Sequence, residues 1–305
     1  MYKVVVSVVI GTYNQKEVLR KTLRSLFEQS IAYDLYEVIV VDSSSTDGTE
    51  EMIRSLNPHC DLEYIKQPNL GKGAARNRGI KEAKGDIIII TDADIIANDR
   101  LVEEHLLIQT KYKNVITEGL EYNFKNIKGN LKDPNNLEPY IKEKIKPLQK
   151  IRWSYFLTGN LGAKKKTLLE AGLFDEDFTG YGWEDIELGY RIHKMGVPII
   201  YLPTAINYHY HPVSDEETVN RKYNMGKSAA RFYLKHPNFE IKMFLGLNPL
   251  AMFIFRIMTK SKFFRDLVFK KANLKKPKRF YTYLMHEYVY RTGIMDGIKE
   301  LTGTK

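Results

Sequence analysis

Four clusters of residues have the types and spacing to do chemistry. Asp92-Ala93-Asp94 follows the apolar run Ile87–Ile90, so two carboxylates stand where a buried strand ends. Paired carboxylates suit Mg²⁺ or Mn²⁺ and commonly bridge such a metal to substrate phosphates. An ordinary acidic loop is the plainer alternative. Trp183-Glu184-Asp185 opens a helical pattern behind Gly180 and Gly182. Acidic residues are favoured at a helix start by the macrodipole alone. A carboxylate there is also placed to act as general base on a hydroxyl, beside a flat indole face. In Tyr208-His209-Tyr210-His211, a strand puts both histidines on one face, where an imidazole could complete a metal shell or simply be hydrogen-bonded. Gly71-Lys72-Gly73-Ala74-Ala75-Arg76 puts two cations at a helix start, a place where anions bind. It matches neither the Walker A spacing nor a dinucleotide fingerprint. The plainer alternative is a solvated basic helix face.

The surrounding pattern must position these groups. Continuous apolar runs at Val4–Ile10, Glu37–Val41 and Asp86–Ile90, with a shorter strand at Asp61–Lys66, alternate with helical periodicity. The helical stretches are Lys16–Gln29, Thr46–Leu56, Ala74–Ala83 and Asp99–Lys111. A strand at Val115–Phe124 follows, and Asn126–Lys150 reads as a polar loop and helical excursion. Helices at Thr167–Ala171 and Trp183–Met195 precede strands at Pro198–Leu202 and Ala205–His211. This alternation predicts an α/β fold, a mostly parallel sheet flanked by helices. Ligands bind at the carboxyl ends of such strands. Thr12-Tyr13-Asn14, Asp42-Ser43-Ser44 and Asp92-Ala93-Asp94 are therefore expected to converge on one crevice.

Composition narrows the classes. The chain has 305 residues, 43% of them hydrophobic and 28% charged, which argues against disorder. Its lone cysteine, Cys60, excludes a disulfide scaffold and a cysteine zinc cluster and fits a reducing compartment. The net charge of +10 is unevenly spread. Residues 219–305 carry 19 Lys and Arg against 5 Asp and Glu, a net of +14, so the rest of the chain is at −4. No signal peptide is expected, and the apolar stretch Phe244–Met258 is broken by Asn248, Pro249 and Arg256. A spanning helix needs about 20 apolar residues. Apolar and aromatic residues beside lysine clusters in the tail instead suggest an interfacial helix on an anionic membrane. Packing of basic-faced helices onto the catalytic domain is the competing explanation.

Taken in order, these motifs resemble glycosyltransferase family 2, with its inverting chemistry and GT-A fold. The matching stretches are Ser7–Asn14, Val38–Thr49, Gly71–Gly79, Asp86–Asp94, Trp183–Asp185 and the His209 strand, within residues 4–212. Thr158–His211 also resembles the carboxyl part of galactosyl- and N-acetylgalactosaminyltransferases. The resemblance implies a catalytic domain, 1–217, and the basic, aromatic helical tail, 218–305, is set apart from it on composition and helical pattern. Within the first, residues 1–124 would bind the nucleotide-sugar and residues 151–217 the acceptor. It implies that Thr12, Tyr13 and Asn14 line the nucleotide pocket and that Asp42 accepts the uracil N3–H, hence a UDP-sugar. Lys72 and Arg76 would flank the nucleoside and Asp92 the ribose, with Trp183 and Asn160 beside the donor. Asp94 and His209 would ligate Mn²⁺ or Mg²⁺, with His211 as the alternative to His209. Asp185 would be the base and Glu184 would bind a glycan or lipid-linked acceptor. The expected partner set contains no nucleic acid, and the expected location is cytoplasmic, at the inner membrane face. The competing expectation is a catalytically inactive sugar-nucleotide-, membrane- or nucleic-acid-binding protein.

Overall fold

The computed structural model describes residues 4–124, 133–141, 143–210, 215–274 and 278–303. The chain divides into two compact units. The first comprises residues 1–179 and 184–212, and the second residues 180–183 and 213–305.

The first unit is built on one mixed sheet. Its parallel half contains β1 (Val6–Thr12), β2 (Tyr36–Asp42), β3 (Asp61–Lys66) and β4 (Ile87–Asp92), in the order β3-β2-β1-β4. The β-branched runs of β1, β2 and β4 are buried on both faces, as strands covered by helices on each side must be. A short strand β5 (Ile95–Ala97) and the long β6 (Ile116–Phe124) follow. Beyond them come two short strands, β7 (Leu137–Pro139) and β8 (Lys150–Ile151), then β9 (Leu161–Lys164) and β10 (Ile199–His209). β9 lies antiparallel between β4 and β6, and β10 runs parallel to β6 with β5 antiparallel at its far side.

Helices α1 (Lys16–Phe27), α2 (Thr49–Arg54), α3 (Lys72–Glu82) and α4 (Leu101–Lys111) occupy the connections, with α5 (Lys165–Glu170) and α6 (Glu184–Lys194) further on. On α1, Leu19, Leu23 and Leu26 recur at helical spacing and are fully buried, the apolar stripe that docks a helix on a sheet. Helix α3 comes closer to its sheet because its inner face is small. A Cβ at Gly79 would overlap Val9 of β1. Gly79→Ala is therefore expected to destabilise the protein by about 1–3 kcal/mol through overpacking, measured as a lower urea midpoint with unchanged slope.

The structure differs from the sequence pattern in several places, among them the unexpected strand β5. The expected helix from Thr46 begins only at Thr49, because Asp47 and Gly48 form its entry turn and Gly48 is left-handed at φ 83°. The two strands expected at 198–202 and 205–211 are one strand, β10, whose register with β6 shifts between Leu202 and Ile206. Between 126 and 150 the described residues hold β7, β8 and a single 3-10 turn at Pro134–Asn136. β9 is a strand of small residues that carries no strand signal.

The second unit is helical, with α7 (Asp215–Lys235), α8 (Phe239–Phe244), α9 (Pro249–Lys260), α10 (Lys262–Ala272) and α11 (Arg279–Thr302). α7 and α11 cross nearly backbone to backbone. A Cβ at Gly226 would overlap the Tyr290 carbonyl, and one at Gly293 would overlap the Tyr223 carbonyl. Asn238, Asn248 and Ser261 cap α8, α9 and α10 with their side chains. Among the described residues no helix is long and apolar enough to cross a membrane.

Candidate active site

The carboxyl ends of β1, β2 and β4 lie side by side, with Thr12 in register with Asp42 and Gly11 with Asp92. Parallel pairing thus makes neighbours of residues far apart in sequence. Asn14, left-handed at φ 51°, links the first two ends. Its side-chain Oδ1 accepts from the Thr46 backbone amide, and its own backbone amide donates to Ser45 Oγ. Tyr13 beside it is exposed, while Thr12 is buried with an Oγ1 that has no partner among the described residues. A cavity of about 550 Å³ opens next to this loop, lined by Lys16, Arg20, Ser45, Thr46 and Lys66.

The centre of the site is Arg76, on the inner face of α3 and almost wholly buried. Its guanidinium donates to Asp92 Oδ1 at 2.8 Å and to Glu184 Oε1 at 2.9 Å. One side chain therefore joins the strand-end acid to the helix-start acid. Burial opposes the charge on Arg76, but Asp92, Glu184 and Asp185 outweigh it and keep the group cationic. Burial likewise opposes ionisation of Asp92, and Arg76 with the exposed Lys72 holds it below the usual carboxylate range.

Asp185 behaves in the opposite way. Burial, and next the negative charge of Glu184, push its pKa up to about 7 despite Arg76. Its Oδ1 accepts from the Ile186 amide at 2.7 Å at the start of α6. Glu184 uses one oxygen on Arg76, and its buried Oε2 has no partner among the described residues. An unsatisfied buried acceptor is uncommon and is suited to a hydroxyl donor.

At the other side, His209 at the end of β10 lies between two acids. Its Nε2 is 3.4 Å from Asp94 Oδ2 and its Nδ1 is 3.2 Å from Glu121 Oε1. Burial works against a charged ring, but the hydrogen bonds to Asp94 and Glu121 prevail and push its pKa up to about 10. His211 lies outside the described residues. No group of three or more His, Cys, Asp or Glu side chains among the described residues is arranged to hold a metal unaided. The Asp94–His209 pair still has the donor chemistry for one. It offers a carboxylate oxygen and an imidazole nitrogen in a pocket that favours positive charge, and a second carboxylate orients the ring through Nδ1.

Two site residues were not visible as such in the sequence, Glu118 and Glu121 on β6. Glu118 is buried, accepts from the Leu157 amide at 3.1 Å, and burial holds its carboxyl well above the usual range, with Glu121 and Asp185 adding to the effect. The available signal was two acids three apart in β6, since acids are almost never fully buried unless paired.

Three further expected site residues are placed as follows. Asp42 is completely buried, with one oxygen taken by Ser45 and the other by Tyr64. Those bonds brace the Ser45 loop. Asn160 is also buried, its amide donating to the Ala205 carbonyl and its oxygen held by His105. With a further bond to the Leu120 carbonyl, it links β6 and β10. Trp183 belongs to the second unit, where its ring lies against Phe232, Phe244 and Tyr290 and its Nε1 donates to the Met225 carbonyl. Its backbone is left-handed, at φ 78°.

The site is an α/β sheet with acids gathered at its strand ends, and comparison with known proteins gives the family. Residues 7–169, just over half the chain, match Glycosyl transferase family 2, and the chain belongs to that family. It is 30% identical to a chondroitin synthase of Escherichia coli over 70% of this chain and 36% of the relative. It is 28% identical to the validoxylamine A glucosyltransferase of Streptomyces hygroscopicus subsp. jinggangensis, over 81% of this chain and 64% of the relative. The chain thus spans less than two thirds of the length of these relatives. The fold is the GT-A fold. It superposes on a mannosyltransferase of Pyrobaculum calidifontis, determined with GDP-Man and Mn²⁺, at a TM-score of 0.65 and 18% identity, covering 100% of this chain and 89% of the other. It also superposes on S. aureus TarS 1–349, determined with UDP, at 0.57 and 17%, covering 98% and 92%.

Proposed function

We propose that this protein transfers a hexose from a UDP-sugar to an acceptor hydroxyl, with inversion at the anomeric carbon, in the synthesis of a polysaccharide or glycoconjugate. The observation that carries this reading is the Arg76 bridge. It brings Asp92 and Glu184 into one cluster beside a carboxyl, Asp185, whose pKa is near neutral. Relatives named chondroitin synthase and hyaluronan synthase support a polysaccharide product.

In this reading Thr12, Tyr13 and Asn14 contact the nucleoside, with the partnerless Thr12 Oγ1 as a ready group. Lys72 and Arg76 supply positive charge there, and Asp92, fixed by Arg76, accepts from the ribose. The acceptor hydroxyl donates to Glu184 Oε2 and lies against Asp185. As the acceptor oxygen attacks the anomeric carbon in line, Asp185 takes its proton and the diphosphate leaves from the opposite side. One displacement inverts the centre, and a single base is enough. Asp94 and His209 would hold Mn²⁺ or Mg²⁺, which when bound neutralises charge on the leaving diphosphate. Glu121 keeps the His209 ring turned toward Asp94. The basic second unit is read as facing an anionic membrane, at the cytoplasmic side, where a lipid-linked or growing glycan acceptor would be met.

The test is release of UDP from a panel of UDP-sugars with glycan acceptors, with and without Mn²⁺. Metal-dependent turnover is expected, and Asp94→Asn should lower it by about 10²-fold or more. UDP binding by calorimetry with no turnover on any donor would instead establish the inactive sugar-nucleotide binder.

A further inference from the structure

Helices α9 and α10 expose apolar side chains that no described residue of the second unit covers. On α9, Leu250, Phe253 and Ile257 recur at i, i+3 and i+7, with Leu250 70% and Phe253 61% exposed. On α10, Phe263 and Leu267 recur at i and i+4, and Phe263 is 82% exposed. The opposite sides of the same helices are well used. Met258, Val268 and Ala272 are buried with Leu284 and Met285 of α11. Each helix is thus amphipathic twice over, with one apolar side inside the unit and a second facing outward. Exposed large apolar groups on this scale mark an interaction surface.

The charges around these stripes say which kind. Arg256 and Lys260 share the exposed side of α9, and Lys262, Lys270 and Lys271 that of α10. Asp266 is the only acid in either helix. Arg256, Lys260, Lys262, Lys270 and Lys271 form no ion pair with another described residue. A second copy of the same face would bring like charges together, which disfavours self-association. A surface of anionic headgroups over an apolar layer complements both features at once.

We infer that the exposed stripes Leu250–Phe253–Ile257 and Phe263–Leu267 insert into the headgroup layer of an anionic bilayer, with the flanking lysines on lipid phosphates. The helices lie in the interface, because neither is long and apolar enough to span it. The inference deepens the membrane reading of the second unit given above and needs no assumption about sugar transfer.

The experiment is co-sedimentation of the full chain with vesicles of phosphatidylcholine alone or mixed with phosphatidylglycerol. Binding is expected to the mixed vesicles and to weaken steeply between low salt and about 0.5 M salt as the lysines are screened. The double variant F253E/F263E should bind at least tenfold more weakly. K262A/K270A should lose roughly fivefold per lysine on mixed vesicles and change little on neutral ones. All these positions are exposed, and circular dichroism checks that the fold is retained. Light scattering is run in parallel. Absence of wild-type binding, full binding by F253E/F263E, or a dimer that this variant dissolves would each overturn the inference. UDP release in solution is read separately, so failure here leaves the transferase reading untouched, and the converse holds.

Discussion

Asp185→Asn is expected to lower sugar transfer by about 10²–10⁴-fold, the usual contribution of a positioned general base, while UDP binding stays within a few-fold. The amide keeps the shape and the bond to the Ile186 amide but cannot take a proton. The parent should also show a rate that rises with pH through about 7, as Asp185 loses its proton, and Asp185→Asn should abolish that limb. Stability moves the other way. A carboxyl whose pKa is raised on folding binds its proton more tightly in the native state, so stability falls as pH rises from the unfolded value, about 3.9, toward 7. Removing the charge should therefore raise the melting temperature at pH 8, a stability gain at the expense of activity. A pH–rate profile and thermal melts of the two proteins check both halves. An active Asp185→Asn enzyme would remove this residue from the mechanism.

Arg76→Met should be the most damaging change to the fold. It leaves Asp92 and Glu184 without their shared partner in a buried place. Breaking a buried ion pair from one side costs about 3–5 kcal/mol. Asp92 is held below the usual carboxylate range chiefly by Arg76, against its burial. Its contribution to stability is therefore present above the unfolded pKa and lost as pH falls through the native one. The gap between parent and Arg76→Met should narrow as pH is lowered through the carboxylate range. Urea unfolding at several pH values measures it. Arg76→Lys should not rescue fully, because an ammonium cannot fork to two acids. A Met variant as stable as the parent at pH 7 would contradict the bridge.

Much of this site was legible in the sequence, for physical reasons. β1, β2 and β4 are buried on both faces, so their residues had to be uniformly apolar, and the polar groups at their ends stood out. Asp92, Asp94, Glu184, Asp185 and His209 all mark ends of elements. Less legible were residues inside elements. Glu118 and Glu121 sit within β6, where periodicity describes faces and says nothing of a neighbouring strand's histidine. Asp42 is expected at a strand end and Asn160 only by resemblance, and which way each side chain turns depends on partners such as Tyr64 and His105, distant in sequence. Trp183 adjoins Glu184 in the chain but its ring belongs among the aromatic residues of the helical unit. β9, made of Leu161-Gly162-Ala163-Lys164, is a strand by tertiary pairing alone. Gly162 is required there because a Cβ would overlap Thr117.

That strand also sets the order in which the molecule can be made. β9 fills the gap between β4 and β6, pairing Ile87 with Lys164 and Thr117 with Gly162. Both of its neighbours leave the ribosome well before it does. Until Lys164 has emerged, a nascent chain carries two unfilled sheet borders, each with open amides and carbonyls that any passing strand can use. The central sheet closes late, by a long-range insertion of the slow kind. A fragment ending before Leu161 keeps the nucleotide-side motifs yet lacks the strand that joins β4 to β6.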